Sequence, residues 1–363
     1  MPWFFLILAV LYIAGNGYIY FRSWEMLRTF PLLWKWVFSV CYWAGTFSFF
    51  YLFGHRELPE FNPVIHILYY IGTGWLIFTL YMVLFLLCTD LLRVFNIGFN
   101  YRFISCFVLT ILLLTGGYIH YSHPKKEVIN IDINKEVTGK KQIRVVAISD
   151  IHIGYGTTKE RLQQYIRTIQ AEKPDLILIS GDLIDSNLKP VREQRMEQEL
   201  NQLQAPLGVF MIPGNHEYIS GIGKSRAFIR QQTSIQWLQD SVVTLPNGIQ
   251  LIGRDDRHNP RRKSIAQLTD TLPAHAPSIL LDHQPYHLEE AEQAKIDLQF
   301  SGHTHDGQIW PLNLITDHLF EVGYGYKQKG NTHIYVSSGL SLWGPPFRIG
   351  TRSEMVIFNI NFQ

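Results

Sequence analysis

Residues 175–185, "DLILISGDLID", join a short apolar run to a turn that contains Gly181, Asp182 and Asp185. A short apolar run that ends in a turn is typical of a buried β-strand. The two carboxylates would then lie at the carboxyl end of the strand, which is the edge where open α/β sheets bind ligands. The stretch therefore predicts an α/β domain whose chemistry lies at one edge of a sheet.

Five predicted strands in this part of the chain end in Asp, His or Asn side chains. Because the carboxyl ends of neighbouring parallel strands meet at one edge, we expect these side chains to converge. The blocks that follow the strands are Asp150-Ile151-His152, Gly181-Asp182-Leu183-Ile184-Asp185, Gly214-Asn215-His216-Glu217, Asp282-His283-Gln284-Pro285 and Gly302-His303-Thr304-His305.

The remaining pattern of this part fits a layered α/β domain in which helices cover the sheets. Strands are predicted at 143–149, 175–180, 208–213, 249–253, 278–282 and 297–302. Amphipathic stretches at 158–173 and 190–204 predict helices between the early strands. Residues 332–340 and 354–362 predict strands that close the domain in antiparallel fashion.

Each polar block taken alone has an ordinary explanation. An Asp-x-His after a strand is most often a solvated turn, Gly-Asp-x-x-Asp can cap a helix, and a single His is most often a hydrogen-bonded loop residue. Five such blocks in succession, all at strand ends, favour a metal site instead. Carboxylate, imidazole and amide groups without thiolates suit Mn, Fe, Zn or Mg. Thiolate ligands are excluded here because Cys41, Cys88 and Cys106 all precede residue 125.

Charged residues divide the chain into two unlike parts. Ten charged side chains lie in residues 1–124 and 52 in the other 239 residues, so the overall 17% is an average. Soluble domains usually carry about 25% charged residues, which only the second part approaches. The balance of 32 Lys+Arg against 30 Asp+Glu gives no reason to expect nucleic-acid binding.

Four apolar stretches in the first part, at about 3–20, 30–53, 64–87 and 103–121, predict four transmembrane helices. A cleaved signal peptide is the alternative for the first stretch, and buried soluble helices are the alternative for the others. The start "MPWFFLILAV" lacks the basic residues of a signal peptide. The chain is therefore predicted to consist of a transmembrane anchor, 1–124, and a catalytic domain, 125–363.

Basic residues predict the orientation of this anchor. Arg22, Arg28, Arg93 and Arg102 fall on one side of four spans. The 54–63 loop with Arg56 and everything after residue 121 fall on the other side. The positive-inside rule places the arginine-containing loops in the cytoplasm and the catalytic domain outside it.

The ordered set of polar blocks resembles the calcineurin-like metallophosphoesterase superfamily over about residues 143–363. The first part resembles, in layout only, the multi-span anchors of membrane-bound bacterial members of the YkuE type, which implies an integral protein of the bacterial inner membrane. The resemblance implies a four-layer α/β/β/α sandwich preceded by a four-helix transmembrane region. It also implies two divalent metal ions as cofactors, drawn from Mn, Fe, Zn or Mg.

The resemblance carries over to single residues. Asp182 would bridge the two ions, His216 would act as general acid or phosphate ligand, and Asp185 would orient His216. The implied ligands are Asp150, His152, Asp182 and His305 for one ion and Asp182, Asn215, His283 and His303 for the other.

Four further residues stand beside this pattern. Asp306 occupies a position where many relatives have a second Gly, so it bears on specificity rather than on activity. Asp255 and Asp256 predict a solvated strand exit, and Arg254 is a weak candidate for a phosphate contact.

Two functional hypotheses follow from these features. The first is a membrane-anchored phosphoesterase that hydrolyses a phosphomonoester, phosphodiester or pyrophosphate bond, and an anchored site favours a lipid or lipid-linked substrate. The second is a catalytically inactive membrane protein that uses the domain for structure or for partner binding, against which the intact ligand set argues. A transporter with a regulatory domain would need polar residues inside the spans, and these are nearly absent.

Overall fold

The computed structural model of the protein describes residues 2–54, 63–98 and 100–363. It contains two compact units, Met1–Ile119 with Gly344–Phe347 and His120–Trp343 with Arg348–Gln363. We call them the helical unit and the α/β unit. The predicted division at residue 124 stays a prediction.

Long helices account for nearly all described residues up to residue 122. They are α1 (Pro2–Met26), α2 (Leu32–Gly54), α3 (Pro63–Val94) and α4 (Arg102–Ser122). Large apolar side chains on them are widely exposed, for example Leu11 at 62% and Leu33 at 70%. Such surfaces suit a hydrocarbon environment, because water would penalise this much exposed apolar area.

Three of these helical stretches are long and apolar enough to cross a membrane, counting only the residues that the structure describes. They are Leu6–Thr29, Pro63–Val94 and Arg102–Ser122. The described residues therefore contain one span fewer than the four predicted, and α2 (Leu32–Gly54) is the helix that is not among them. Residues 55–62, which include Arg56 and most of the predicted 54–63 loop, lie outside the described residues.

A buried asparagine joins three helices of the helical unit. Asn16 on α1 accepts hydrogen bonds at its Oδ1 from Tyr42 and Thr46 of α2 and from Trp75 of α3, at 2.9 to 3.1 Å. Interhelical hydrogen bonds of this kind satisfy polar groups that lipid cannot. This cluster of polar side chains therefore has a structural explanation in helix packing.

The α/β unit contains twelve strands and eight short helices, all within the described stretch 100–363. The strands are β1 (Lys125–Ile133), β2 (Gln142–Ile148), β3 (Leu176–Ser180), β4 (Val209–Ile212), β5 (Gln236–Trp237), β6 (Ser241–Thr244), β7 (Gln250–Gly253), β8 (Ser278–Leu281), β9 (Leu298–Ser301), β10 (Gly325–Lys329), β11 (Thr332–Val336) and β12 (Glu354–Phe362). The helices are α5 (Lys159–Ala171), α6 (Lys189–Glu193), α7 (Glu197–Leu200), α8 (Asn215–Ile219), α9 (Ile222–Gln232), α10 (Ile265–Thr269), α11 (Glu289–Gln293) and α12 (Asn313–Leu319).

Two six-stranded sheets form the two central layers of this unit. Their strand orders are β1-β12-β2-β3-β4-β5 and β10-β11-β9-β8-β7-β6. Val145 and Phe210 of the first sheet share one buried apolar cluster with Leu281 and Phe300 of the second. Helices such as α5 cover the outer face of the first sheet, and α10 and α11 cover that of the second. The four-layer α/β/β/α prediction is therefore confirmed.

The prediction differs from the structure at three places in this unit. Residues 125–133, for which no strand is predicted, form β1, which pairs in parallel with β12 over nine residues and buries Ile131 and Ile133. The single helix expected at 190–204 is divided into α6 and α7, since Arg195 has a left-handed backbone with φ 51°. β12 is antiparallel to β2 as predicted, whereas β11 runs parallel to β9.

Candidate metal centre

All nine predicted site residues follow strands of the two sheets, either in a loop or, for Asn215 and His216, at the start of the short helix α8. Asp150 and His152 follow β2, Asp182 and Asp185 follow β3, and Asn215 and His216 follow β4. His283 follows β8, and His303 and His305 follow β9. The two sheets therefore both contribute residues to one edge of the sandwich, as expected of ligand sites in α/β folds.

One group of predicted ligands, which we call cluster one, consists of Asp150, His152 and His305. The Nε2 atoms of His152 and His305 lie 3.2 Å apart. Asp150 Oδ1 lies 3.5 Å from His305 Nε2 and 3.9 Å from His152 Nε2. Two ligand atoms that each lie about 2.0–2.1 Å from one ion are separated by about 3 Å, so these spacings suit a shared cation.

A second group, cluster two, consists of Asn215, His283 and His303. The amide oxygen of Asn215 lies 3.1 Å from His283 Nε2 and 2.8 Å from His303 Nδ1. Asp182 lies between the clusters, because its Oδ2 is 3.2 Å from His283 Nε2 and 3.9 Å from His152 Nε2. The structure therefore brings together all seven predicted ligands around Asp182.

The orientation of His283 shows that the donor set fits a metal ion. Its Nδ1 lies 2.7 Å from the carbonyl oxygen of Ser180, so Nδ1 carries the proton in the neutral ring. The unprotonated Nε2 then faces the oxygens of Asp182 and Asn215. A metal ion could be held by all three of these donor atoms, and a hydrogen bond from the other ring nitrogen to a carbonyl is typical of a ligating histidine.

Backbone strain is concentrated at these ligands. Asp150, His152, Asp182, His303 and His305 all have positive φ angles, between 48° and 74°. This left-handed region is sparsely occupied by residues other than glycine and costs free energy at each position. Five of the seven predicted ligands adopt this conformation. The loops therefore position these side chains at the expense of a favourable backbone conformation.

Two glycines of the blocks are required by close contacts with ligands. A Cβ at Gly214 would lie 2.2 Å from Asp182 Oδ1, and a Cβ at Gly302 would lie 2.3 Å from Asp150 Oδ2. Any side chain at either position would displace a carboxylate. This explains why glycine precedes Asn215 and His303 in the two blocks.

His216 lies beside both clusters without belonging to either. Its Nδ1 is 3.2 Å from Asp185 Oδ1, and its ring makes an edge contact with that of His152 at 4.5 Å between centroids. Its backbone N–H donates to Asp182 Oδ1 at 2.8 Å. The geometry fits a histidine that is held by Asp185 through one ring nitrogen and is free to act with the other.

Charges around His216 set its protonation. Burial lowers the pKa of His216, but the carboxylates of Asp182 and Asp185 outweigh burial and raise it to about 9. Burial raises the pKa of Asp185, but interactions with His152 and His216 hold it below its usual range. A divalent cation on Asp182 would offset that carboxylate's charge and bring the pKa of His216 back toward neutral.

Glu217 supports the site, although its position in the sequence predicts no role for it. It is fully buried, and its carboxylate accepts the backbone N–H groups of Gly214, Asp182 and Ile184 at 2.7, 3.0 and 2.9 Å. Glu217 therefore ties the loop after β3 to the loop after β4. Its position in the Gly-Asn-His-Glu block, two residues after Asn215, is the sequence feature that could have indicated this role.

Arg348 is a second residue that the sequence did not single out. It is fully buried and donates to the carbonyl oxygens of His305 at 2.5 Å and Ser341 at 3.0 Å, among others. Ser341 in turn donates its backbone N–H to the carbonyl of Asp150 at 3.1 Å. Arg348 thus connects the backbone segments that position two members of cluster one.

Comparison with known proteins agrees with this geometry. Residues 143–307 match the family model of calcineurin-like phosphoesterases. The chain is 33% identical over 263 residues to the metallophosphoesterase YkuE of Bacillus subtilis, covering 67% of this chain and 89% of that protein. The chain belongs to the calcineurin-like metallophosphoesterase family. This confirms the predicted resemblance and makes metal-dependent phosphoester hydrolysis the general class of its chemistry.

Two further metallophosphoesterases show how far the likeness extends. One, from Helicobacter pylori, is 33% identical over 251 residues, which cover 68% of this chain and 66% of that protein. Another, a transmembrane protein with a metallophosphoesterase domain from Bos taurus, is 28% identical over 270 residues, covering 69% of this chain and 60% of that protein. Together with the three apolar helical stretches, this relative's name indicates a membrane protein.

Three predictions near the metallophosphoesterase site are wrong or stay open. Asp255 and Asp256 are 1% exposed and therefore do not form a solvated strand exit. Arg254 lies 3.0 Å from Asp282 and 3.0 Å from Glu290, so carboxylates already occupy its guanidinium. Asp306 is half-buried with φ 52°, and burial raises its pKa to about 6, but its role stays a prediction.

Proposed function

We propose that this protein is a membrane-anchored phosphoesterase with two divalent metal ions that hydrolyses a phosphomonoester, phosphodiester or pyrophosphate bond. The observation that carries the proposal is the position of Asp182 between two clusters of metal-type donors. A carboxylate shared by two such clusters is the arrangement needed for two-metal hydrolysis. Mn, Fe, Zn and Mg all suit the donor set.

Each proposed residue has one task in this reaction. Asp150, His152, Asp182 and His305 hold one ion, and Asp182, Asn215, His283 and His303 hold the other. When bound, two such ions would provide an activated water and would offset the negative charge of the phosphoryl oxygens. His216 donates a proton to the leaving alkoxide, and Asp185, 3.2 Å from Nδ1, keeps its ring in place.

Metal removal tests the proposal directly. We expect a chelator to lower turnover of bis-p-nitrophenyl phosphate by about a thousandfold, since metal ions contribute several kcal/mol to such reactions. Adding back Mn, Zn, Fe or Mg singly should restore turnover as the metal content approaches two per chain. A protein that carries two ions and cleaves neither this diester nor p-nitrophenyl phosphate would favour the inactive membrane protein instead.

We also propose that residues 1–124 form the anchor of this enzyme and residues 125–363 its catalytic domain, which lies outside the cytoplasm of a bacterial inner membrane. Arg93 near the end of α3 and Arg102 at the start of α4 flank one short turn. Asp90 pairs with Arg22 and with Arg102, which brings the basic end of α1 to the same level. The positive-inside rule assigns this end to the cytoplasm, and this reasoning does not depend on whether α2 spans.

Two engineered cysteines test the proposed side of the membrane. In a background with Cys41, Cys88 and Cys106 replaced by Ser, Ala274→Cys adds a thiol on an exposed loop of the α/β unit, and Asn96→Cys adds one between α3 and α4. We expect a membrane-impermeant thiol reagent on intact cells to label Ala274→Cys and to spare Asn96→Cys. The reverse labelling pattern would place the catalytic domain in the cytoplasm.

A further inference from the structure

A loop at residues 308–323 leaves the metal-ligand turn and returns to it. At its start, a Cβ on Gly307 would lie 2.3 Å from the backbone N of Asn313, so the loop packs against the residue that follows Asp306. At its end, Thr304 Oγ1 donates to the carbonyl of Gly323 at 2.6 Å. Thr304 lies between His303 and His305, so both ends of the 308–323 loop, whose middle part is helix α12, are fixed beside these two predicted ligands.

The outer part of this loop is apolar and exposed. Ten large apolar side chains are exposed in the described stretch 120–363, and six of them lie within residues 310–324. A patch this concentrated differs from the single exposed apolar residues of ordinary surfaces and marks a binding surface. The six are Trp310, Leu312, Leu314, Ile315, Leu319 and Tyr324.

Aromatic rings make this surface continuous with the metal centre. The ring of Phe320, at the end of the loop, meets that of His303 edge-on at 6.2 Å between centroids. The half-exposed ring of Trp343 meets that of His216 in the same way at 6.2 Å. Apolar groups therefore lie directly beside a ligand of cluster two and beside the proposed proton donor.

The side-chain composition of the 308–323 loop determines which kind of ligand it can bind. Between residues 308 and 323 the ionisable side chains are Asp317, His318 and Glu321, so the loop offers no Lys or Arg to an anionic group. A sugar or nucleotide lying on Leu312, Leu314 and Ile315 would lose its hydration there without new hydrogen bonds, which is costly. A hydrocarbon chain would gain free energy from the same contact.

We propose that the 308–323 loop binds the hydrocarbon part of a lipid phosphoester whose phosphate lies at the metal centre. The proposal rests on the proposed function and names its substrate class. It agrees with a chain that carries three helical stretches able to cross a membrane, since such a chain meets lipids wherever it works. The anionic phosphate and the apolar chain would then face surfaces of matching chemistry.

A series of p-nitrophenyl phosphodiesters with methyl, hexyl and dodecyl groups tests this, used below their micelle-forming concentrations. The leaving group is the same throughout, so only the chain contact changes. We expect kcat/KM of the full-length, metal-loaded protein to rise about twofold per methylene for a half-buried chain, or about thirtyfold from methyl to hexyl.

Two variants separate chain binding from loop structure. Leu314→Ser combined with Ile315→Ser changes two side chains that are 57% and 54% exposed, so the fold should be retained. We expect this double variant to lose most of the chain-length dependence and to keep methyl-ester turnover within about twofold of the unmodified protein. Val128→Ser alters an exposed apolar residue of β1 and should leave the whole series unchanged.

The outcomes distinguish the two proposals. Methyl-ester turnover without any chain-length dependence would overturn the lipid assignment and leave the phosphoesterase standing. An equal loss for all three esters in the double variant would show that the loop only supports His303 and His305, and would also overturn it. No turnover of any ester by protein with two bound ions would overturn the proposed function, and the lipid assignment with it.

Discussion

Asp182→Asn is expected to lower turnover by about a thousandfold or more and to reduce the metal content below two per chain. Asp182 lies within 3.2 to 3.9 Å of nitrogens from both clusters, so loss of its charge weakens both ion sites at once. The several kcal/mol that metal ions contribute to phosphoryl hydrolysis would be lost with them. Metal analysis and turnover of bis-p-nitrophenyl phosphate on the same sample provide the measurement.

Asn keeps the size of Asp182 and an oxygen that can accept the backbone N–H of His216, now bonded at 2.8 Å. The fold should therefore survive, and thermal unfolding of the metal-free forms can verify this. Asp270→Asn, at an exposed position remote in sequence from every block, is the matched control and should leave both measurements unchanged. Normal activity with two ions in Asp182→Asn would refute the bridging role.

His216→Ala is expected to retain its metal ions and to lose activity by about a hundredfold to ten-thousandfold, the range typical of a proton donor. The loss should depend on the leaving group. A p-nitrophenolate departs readily without a proton, whereas an alkoxide does not, so turnover of a dialkyl phosphate should fall further than turnover of the nitrophenyl diester.

This dependence on the leaving group distinguishes a proton donor from a ligand. His216 also lies close enough to His152 and Asp182 to share an ion with them. If His216 were chiefly a ligand, the variant would lose metal and both substrates would suffer equally. His287→Ala changes an exposed histidine and serves as the control that should alter neither activity nor metal content.

The sequence was sufficient where local pattern determines structure. The apolar run at 175–180 could only be a buried strand, and the polar residues after it had to lie at its carboxyl end. The same reasoning predicts that Asp150, Asn215 and His283 lie at one edge of the sheets. Parallel pairing of β2, β3 and β4 turned these separate strand ends into one centre.

The sequence was insufficient where a residue's partner lies far away in the chain. Nothing local to Asp255 and Asp256 reveals that Tyr218 and Gln284, respectively, will bury them through hydrogen bonds. The backbone between α6 and α7 is left-handed at Arg195, a position where a glycine or asparagine would have indicated this conformation. β1 is not predictable from local pattern because its outer residues are polar. Its two buried isoleucines become buried only through pairing with β12, which lies at the other end of the chain.

The pairing of β1 with β12 determines where a proteolytic cut could separate the α/β unit from the residues that precede it. The loop at 134–141 between β1 and β2 is largely exposed and therefore accessible to a protease. A cut there would break the covalent link between β1 and the rest of the α/β unit but not their pairing. Nine residues of β1 would stay in register along the C-terminal strand, with Ile131 and Ile133 still in the core. The two fragments would stay together as a non-covalent complex. Release of the α/β unit from the preceding residues would therefore require a cut before Lys125.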